Sequence, residues 1–212
     1  MPRSGRIVYP HVPHHVTQRG NRRAPIFFEP GDQEFYLGLL AEQTRKHAAE
    51  VWAFCLMPNH VHLILTPGDE RGLGRAMGEV HRLYALRINA RHGWSGHLFQ
   101  DRFASVPMGE DHLVAAFRYV ATNPVRAGLA ERAQDWRWSS VHAHLAGRDT
   151  RLVRVAPLLA RVGDIAELLE TSEDADARYS EAFAALRQAE LTNRPLGVTG
   201  RAGAQPVTED RR

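Results

Sequence analysis

Two spacings of apolar residues alternate along the chain. "VWAFCLM" and "HVHLILT" are short apolar runs joined by Pro58-Asn59, which predicts two strands and a turn. Upstream, "HVPHHVTQRGNRR" starts as a strand over roughly residues 12–18 and ends in a basic turn at Gly20-Asn21. Between these, "PGDQEFYLGLLAEQTRKHAAE" places Phe35, Tyr36, Leu39 and Leu40 on one helical stripe, with Asp32 positioned as the N-cap. After the strand pair, Leu73, Met77, Val80, Tyr84 and Ile88 recur at helical spacing in a long segment that Gly93 should end. "GHLFQDRFASVPM" reads as extended, and "DHLVAAFRYVATNP" as a third helix, capped by Asp111 and stopped by Pro124.

The predicted order is strand, helix, strand, strand, helix, strand, helix. That pattern predicts an α+β fold: a ferredoxin-like (RRM-like) antiparallel sheet with helices on one face. The other face is expected to be free to bind. Beyond about residue 145 the pattern changes. "VAPLLARVGDIAELLETSEDADARYSEAFAALRQ" reads as helical and acidic in its middle, and "TNRPLGVTGRAGAQPVTEDRR" as a mobile tail rich in Gly, Pro and Arg. The expected division is a core of residues 1–145 and a helical extension with its tail, 146–212.

Composition bounds the rest. At 212 residues, with 43% hydrophobic and 24% charged, the chain suits one good-sized soluble domain with an appendage. No apolar run is long enough to span a bilayer, and none follows the basic residues of "MPRSGRIVYPH", so neither a membrane span nor a signal peptide is expected. The single cysteine, Cys55, cannot form an internal disulfide and fits a reducing cytoplasm. The net charge of +3 is unevenly placed: residues 1–150 carry 18 Lys and Arg against 14 Asp and Glu, and residues 151–212 carry 9 against 10. Lys46 is the only lysine. Arginine pairs bidentately with phosphate, which suits nucleic acid, although a GC-rich genome would produce the same bias.

Candidate chemistry begins at "NHVHLIL". Side chains alternate along a strand, so His60 and His62 share one face and Val61, Leu63 and Leu65 the other. A strand-borne H-x-H pair can present two imidazoles to one cation, or simply be two histidines on a sheet face. The Asp-His pair with which metallo-hydrolases commonly continue this motif is missing from "LILT", which disfavours a zinc hydrolase. On the third helix Tyr119 and Asn123 lie at i and i+4, at the edge of the stripe formed by Leu113, Phe117 and Val120. An amide oxygen is a neutral ligand for a hard cation, and a tyrosine beside it could be a nucleophile. Alternatively the pair is a packed tyrosine and an Asn cap before Pro124.

Taken in order, several blocks resemble the HUH tyrosine transposases, in particular the REP-associated tyrosine transposases and their single-strand insertion-sequence relatives. The blocks are "HHVTQRGNRR" with "IFF", "CLMPNHVHLIL", "MGEVHRLYALRINARHGWSGHLFQDRFAS", "FRYVATNPVRAGL" and "WRWSS", with "NRPLG" a weaker match. The resemblance covers roughly residues 3–145. It implies that His60, His62 and Asn123 hold a divalent cation, Mg²⁺ or Mn²⁺, and that Tyr119 is the nucleophile. It also implies a 5′-phosphotyrosine intermediate, a free 3′-hydroxyl, a single-stranded DNA substrate bearing a hairpin, and a monomer or homodimer. Two imidazoles and an amide suit manganese at least as well as magnesium.

Arg19, Arg22 and Arg23 form the sharpest basic cluster, and Arg102, Arg118 and Arg126 flank the proposed site; all six are candidate DNA contacts or solvated charges. Trp136 and Trp138 could stack on bases, though packing of the helical layer is the expected role. Tyr84, the rival nucleophile, lies on an apolar stripe and reads as core. His112 precedes Tyr119 on the same helix and reads as a surface histidine within reach of the site; His15 belongs to the site's edge, to DNA, or to the strand face. The alternative functions are a rolling-circle initiator or relaxase-like nickase, and an inactive nucleic-acid-binding module.

Overall fold

The strand runs pair as a four-stranded antiparallel sheet in the computed structural model, which describes residues 8–170 and 179–185. β1 (His14–Arg19) leads to α1 (Asp32–Lys46), then β2 (Ala49–Met57) and β3 (His60–Pro67). α2 (Gly72–His92), β4 (Ala104–Pro107) and α3 (Glu110–Arg126) follow, and then α4 (Val141–Leu145), α5 (Ala156–Val162) and α6 (Ile165–Glu170). The strand order β2-β3-β1-β4 with this connectivity is the ferredoxin-like arrangement.

Alternation sorts each strand into two faces. Val16, Phe54, Leu56, Val61, Leu63 and Leu65 pack against the stripes of α1 and α2, including Tyr36, Leu40, Met77, Val80 and Tyr84. Full burial of each such side chain is worth about 1.5–3 kcal/mol. α2 ends where its sequence says it should: Gly93 takes a left-handed φ of 64° at the C-cap.

The expectation that helices cover only one face is corrected. Ala53, Cys55, Met57, Ile64 and Val106 make the middle of the second face apolar, and Leu113, Phe117 and Val120 of α3 bury it. Leu158 of α5, Ile165 of α6, Tyr179 and Phe183 extend the cover. A strand buried on both faces cannot be left half open.

Two cap assignments also change. α1 is capped by Gly31, in a left-handed conformation with φ 94°, and not by Asp32. The Asp32 carboxylate turns to Arg91, which donates to both oxygens at 2.8 Å, and to the backbone N–H groups of Phe28 and Glu29. α3 begins after Gly109, so Asp111 lies inside the helix, and the helix runs through Pro124 to Arg126. A proline so near the end forfeits a single backbone bond, and the last turn closes through Ala127 N–H to Asn123 O. The expected mobile tail lies outside the described residues. No helix among the described residues is long and apolar enough to cross a membrane.

Candidate active site

The histidines emerge at one end of the second face, where the apolar cover gives out. The Pro58-Asn59 turn starts β3, so His60 is half-buried at the rim and His62 is buried one pleat further in. Neighbouring β1 brings His15 and Arg19 to the same face, since His15 pairs with Ile64 and Arg19 with His60. α3 crosses above and supplies Tyr119 and Asn123 from successive turns. The Tyr119 ring stands edge-on to His62, centroids 5.4 Å apart and planes at 84°. Asn123 is buried, with Nδ2 3.4 Å from His62 Nε2, and its side chain also hydrogen-bonds His60. Four residues from two distant segments therefore converge.

Each imidazole is held from behind. Asn59 Oδ1 can only accept, so His60 Nδ1, 2.6 Å away, carries the proton and His60 Nε2 keeps its lone pair. Asn59 is itself anchored, its Nδ2 donating to the Arg23 carbonyl at 3.0 Å. His62 Nδ1 lies 3.0 Å from His15 Nε2, and His15 Nδ1 lies 3.0 Å from the Tyr179 hydroxyl. Tyr179 in turn donates to Met108 Sδ at 3.6 Å. The run closes consistently if His62 donates to His15 and His15 to Tyr179, which leaves His62 Nε2 unprotonated and aimed at Asn123.

Both imidazoles are neutral at ordinary pH. Burial, with the positive charge of Arg19, pushes His60 down to about 4 even though its bond to Asn123 acts the other way. Burial also drives His62 well below its usual value, helped by His15, His60, Arg19 and Arg126, and it lowers His15 to about 3. Neutral imidazoles are the form that binds metals. Two imidazole nitrogens and an amide oxygen, with a half-turn of the Asn123 amide presenting Oδ1, fit one divalent cation. Among the described residues no three His, Cys, Asp or Glu side chains gather as a metal site.

The remaining candidates separate. Arg126 is exposed and lies over the Tyr119 ring, 4.5 Å from its centroid. Arg22, Arg23 and Arg102 are exposed. Arg118 is corrected: it is buried, and its Nε donates to the Leu168 carbonyl at 2.9 Å, so it anchors α6 and is not presented to DNA. His15 is fully buried behind His62, which removes the DNA reading. His112 is exposed, two turns before Tyr119 on the same helix. Tyr84 is fully buried on the opposite face, donating to the Ile26 carbonyl at 2.7 Å. Trp136 donates to the Leu56 carbonyl and Trp138 packs on the first core, so both are packing residues. Asn59 and Tyr179 were not foreseen. Asn59 read only as a turn residue, and Tyr179 lies 164 residues from its partner His15, with no local signal.

A family model described as IS200-like transposase matches residues 8–123. The fold is similar to the solved structure of a REP-associated tyrosine transposase bound to a REP hairpin, at 21% identity, a TM-score of 0.57, and coverage of 71% of this chain and 90% of that one. A crystal structure of a protein assigned as a transposase from Deinococcus radiodurans R1 is a more distant likeness, at 18% identity, a TM-score of 0.39, and coverage of 59% and 91%. No curated protein matches the chain.

Proposed function

The chain belongs to the family of IS200-like transposases, and on that premise we propose that it cleaves and rejoins single-stranded DNA through a phosphotyrosine on Tyr119. One observation carries the proposal: a tyrosine from α3 stands edge-on to a buried histidine of β3, beside a second histidine and an amide. His60, His62 and Asn123 would hold Mn²⁺ or Mg²⁺. Such a cation would polarise a non-bridging phosphate oxygen and orient the phosphodiester. Tyr119 Oη attacks phosphorus and loses its proton; the P–O3′ bond breaks, and the leaving oxygen takes up a proton as a free 3′-hydroxyl. Arg126 keeps a positive charge stacked on the ring while the phenol loses its proton. The phosphotyrosine conserves the bond energy, so an incoming 3′-hydroxyl can reverse the step without ATP.

The hairpin bound by the structurally similar transposase makes hairpin-bearing strands the first substrates to try. Full-length protein with Mn²⁺ or Mg²⁺ is mixed with labelled single strands from beside its own gene and run on a denaturing gel. The expected result is a metal-dependent covalent adduct present in Tyr84→Phe and lost in Tyr119→Phe. An adduct that survives Tyr119→Phe would overturn the assignment. DNA binding with no adduct on any strand would move the protein to the binding-module reading.

A further inference from the structure

Trp94 is half exposed, an uncommon place for so large an apolar ring, yet it is held firmly. Its ring lies on His92 with centroids 4.4 Å apart and planes 19° apart, and Phe28 stands edge-on at 5.3 Å. Phe28 also meets His92 edge-on at 5.1 Å. The stack leaves His92 Nε2 covered and without a hydrogen-bond partner among the described residues, a cost that stacking must offset. The backbone is pinned on both sides, by Trp94 N–H to the Asn89 carbonyl and by Asn89 Nδ2 to the Gly96 carbonyl, each 2.9 Å. One indole face is occupied and the ring is pre-positioned.

The loop that carries Trp94 lies against the basic turn. Asn21 N–H donates to the Leu98 carbonyl at 2.8 Å, and Asn21 Nδ2 to the His97 carbonyl at 3.3 Å. The other side of that turn rests on the start of β3, through Gly20 N–H to the Asn59 carbonyl and Asn59 Nδ2 to the Arg23 carbonyl. Gly20 permits the turn to close tightly on itself, because a Cβ there would collide with the Ala24 carbonyl. A band therefore runs along one end of the sheet, from His60 over Arg22 and Arg23 to Trp94. A protein partner would call for a contiguous apolar patch of several hundred Å². The residues beside Trp94 in its loop, Ser95, Gly96 and His97, are exposed and not apolar, and through Asn21 that loop is hydrogen-bonded to the turn that carries the exposed Arg22 and Arg23. A flat ring on a loop tied to a basic turn matches a strand whose phosphates meet arginine while a base meets the indole.

We propose that Trp94, backed by His92 and Phe28, is a stacking platform for an unpaired base of the DNA strand, placed across the Arg22–Arg23 turn from the candidate cation site. This rests on the DNA-processing function above and adds where a base is held.

The test uses full-length protein, a fluorescein-labelled mixed-sequence single strand, and a strand of equal length built from tetrahydrofuran abasic units. Wild type should prefer the strand with bases, and Trp94→Ala should cut that preference about tenfold, the scale of one base–aromatic stack. Its affinity for the abasic strand should not change. Trp94→Phe, which keeps a flat ring, should restore most of the preference. Arg22→Ala with Arg23→Ala should weaken both strands alike. Thermal melts confirm that each variant is folded. An unchanged preference in Trp94→Ala, equal weakening of both strands by it, or no restoration by phenylalanine would overturn the platform. If the Tyr119 adduct still forms in that case, only the platform falls. A wild type that binds neither strand would overturn the proposed function and the platform together.

Discussion

Replacing His15 by phenylalanine removes the acceptor behind His62 while keeping a flat ring in the space. His15 is fully buried between His62, Tyr179 and Phe183, with the Phe183 ring centroid 4.0 Å away, so no water can readily take its place. In the variant the His62 Nδ1–H has lost its partner, and leaving it buried and unpaired costs about 1–3 kcal/mol. His62 can escape that cost by turning its ring or moving its proton to Nε2, and either change withdraws the lone pair aimed at Asn123. Loss of a partner behind a metal-binding histidine typically weakens the metal about 10–100-fold, which is about 1.4–2.7 kcal/mol and matches the cost of the orphaned N–H. The assay is calorimetric titration of full-length protein with Mn²⁺, with thermal melts to show that each variant is folded. His15→Gln restores an acceptor and should recover part of the affinity. Tyr179→Phe, which frees only the far end of the run, should lose less than His15→Phe. The reasoning is refuted if His15→Phe binds Mn²⁺ like wild type while His62→Ala does not bind it.

Three further outcomes follow from contacts away from the chemistry. Burial alone would raise the Asp32 carboxyl, but the Arg91 guanidinium and the N–H groups of Phe28 and Glu29 outweigh it and hold it down to about 2, against 3.8 when unperturbed. A lowered carboxyl stabilises the fold above the unfolded value and loses that contribution as pH falls through the folded one; here it is about 2 kcal/mol at pH 7, with about half gone by pH 3. The stability gap between wild type and Asp32→Asn, measured by urea unfolding, should therefore narrow from pH 7 to pH 3, and a constant gap would contradict the ion-pair account. Arg118→Met should cost about 1–3 kcal/mol by releasing the Leu168 carbonyl, and should leave the salt dependence of DNA binding unchanged. Arg22→Ala and Arg23→Ala should each lower that slope by about 0.7, the value of one phosphate contact on a single strand, and a similar drop for Arg118→Met would return Arg118 to the DNA surface.

What the sequence disclosed and what it hid divide along the range of the forces involved. The alternation of "HVHLILT" placed His60 and His62 on one face because a strand's period is local, and the helical spacing of α2 with Gly93 at its end was local too. Asp32 looked like a helix cap because its local chemistry suits one; its partner Arg91 stands 59 residues on, and charge pairing in a partly buried site outweighed the cap. The second face misled for a similar reason. The ferredoxin-like element order suggested an open second face, yet the apolar residues that cover its middle are scattered as single alternating positions on three strands, Ala53, Cys55, Met57, Ile64 and Val106. Only pairing sums them into a patch wide enough to bury α3. That burial is what makes the candidate site: α3 packs through Leu113, Phe117 and Val120, and Tyr119 and Asn123, on the edge of that stripe, are set down where the strand face changes from apolar to histidine. Had the face stayed open, the two histidines would have met solvent. Their lowered pKa values, the alignment of His62 with Asn123 and the approach of Tyr119 all follow from a helix the sheet needed for its own core.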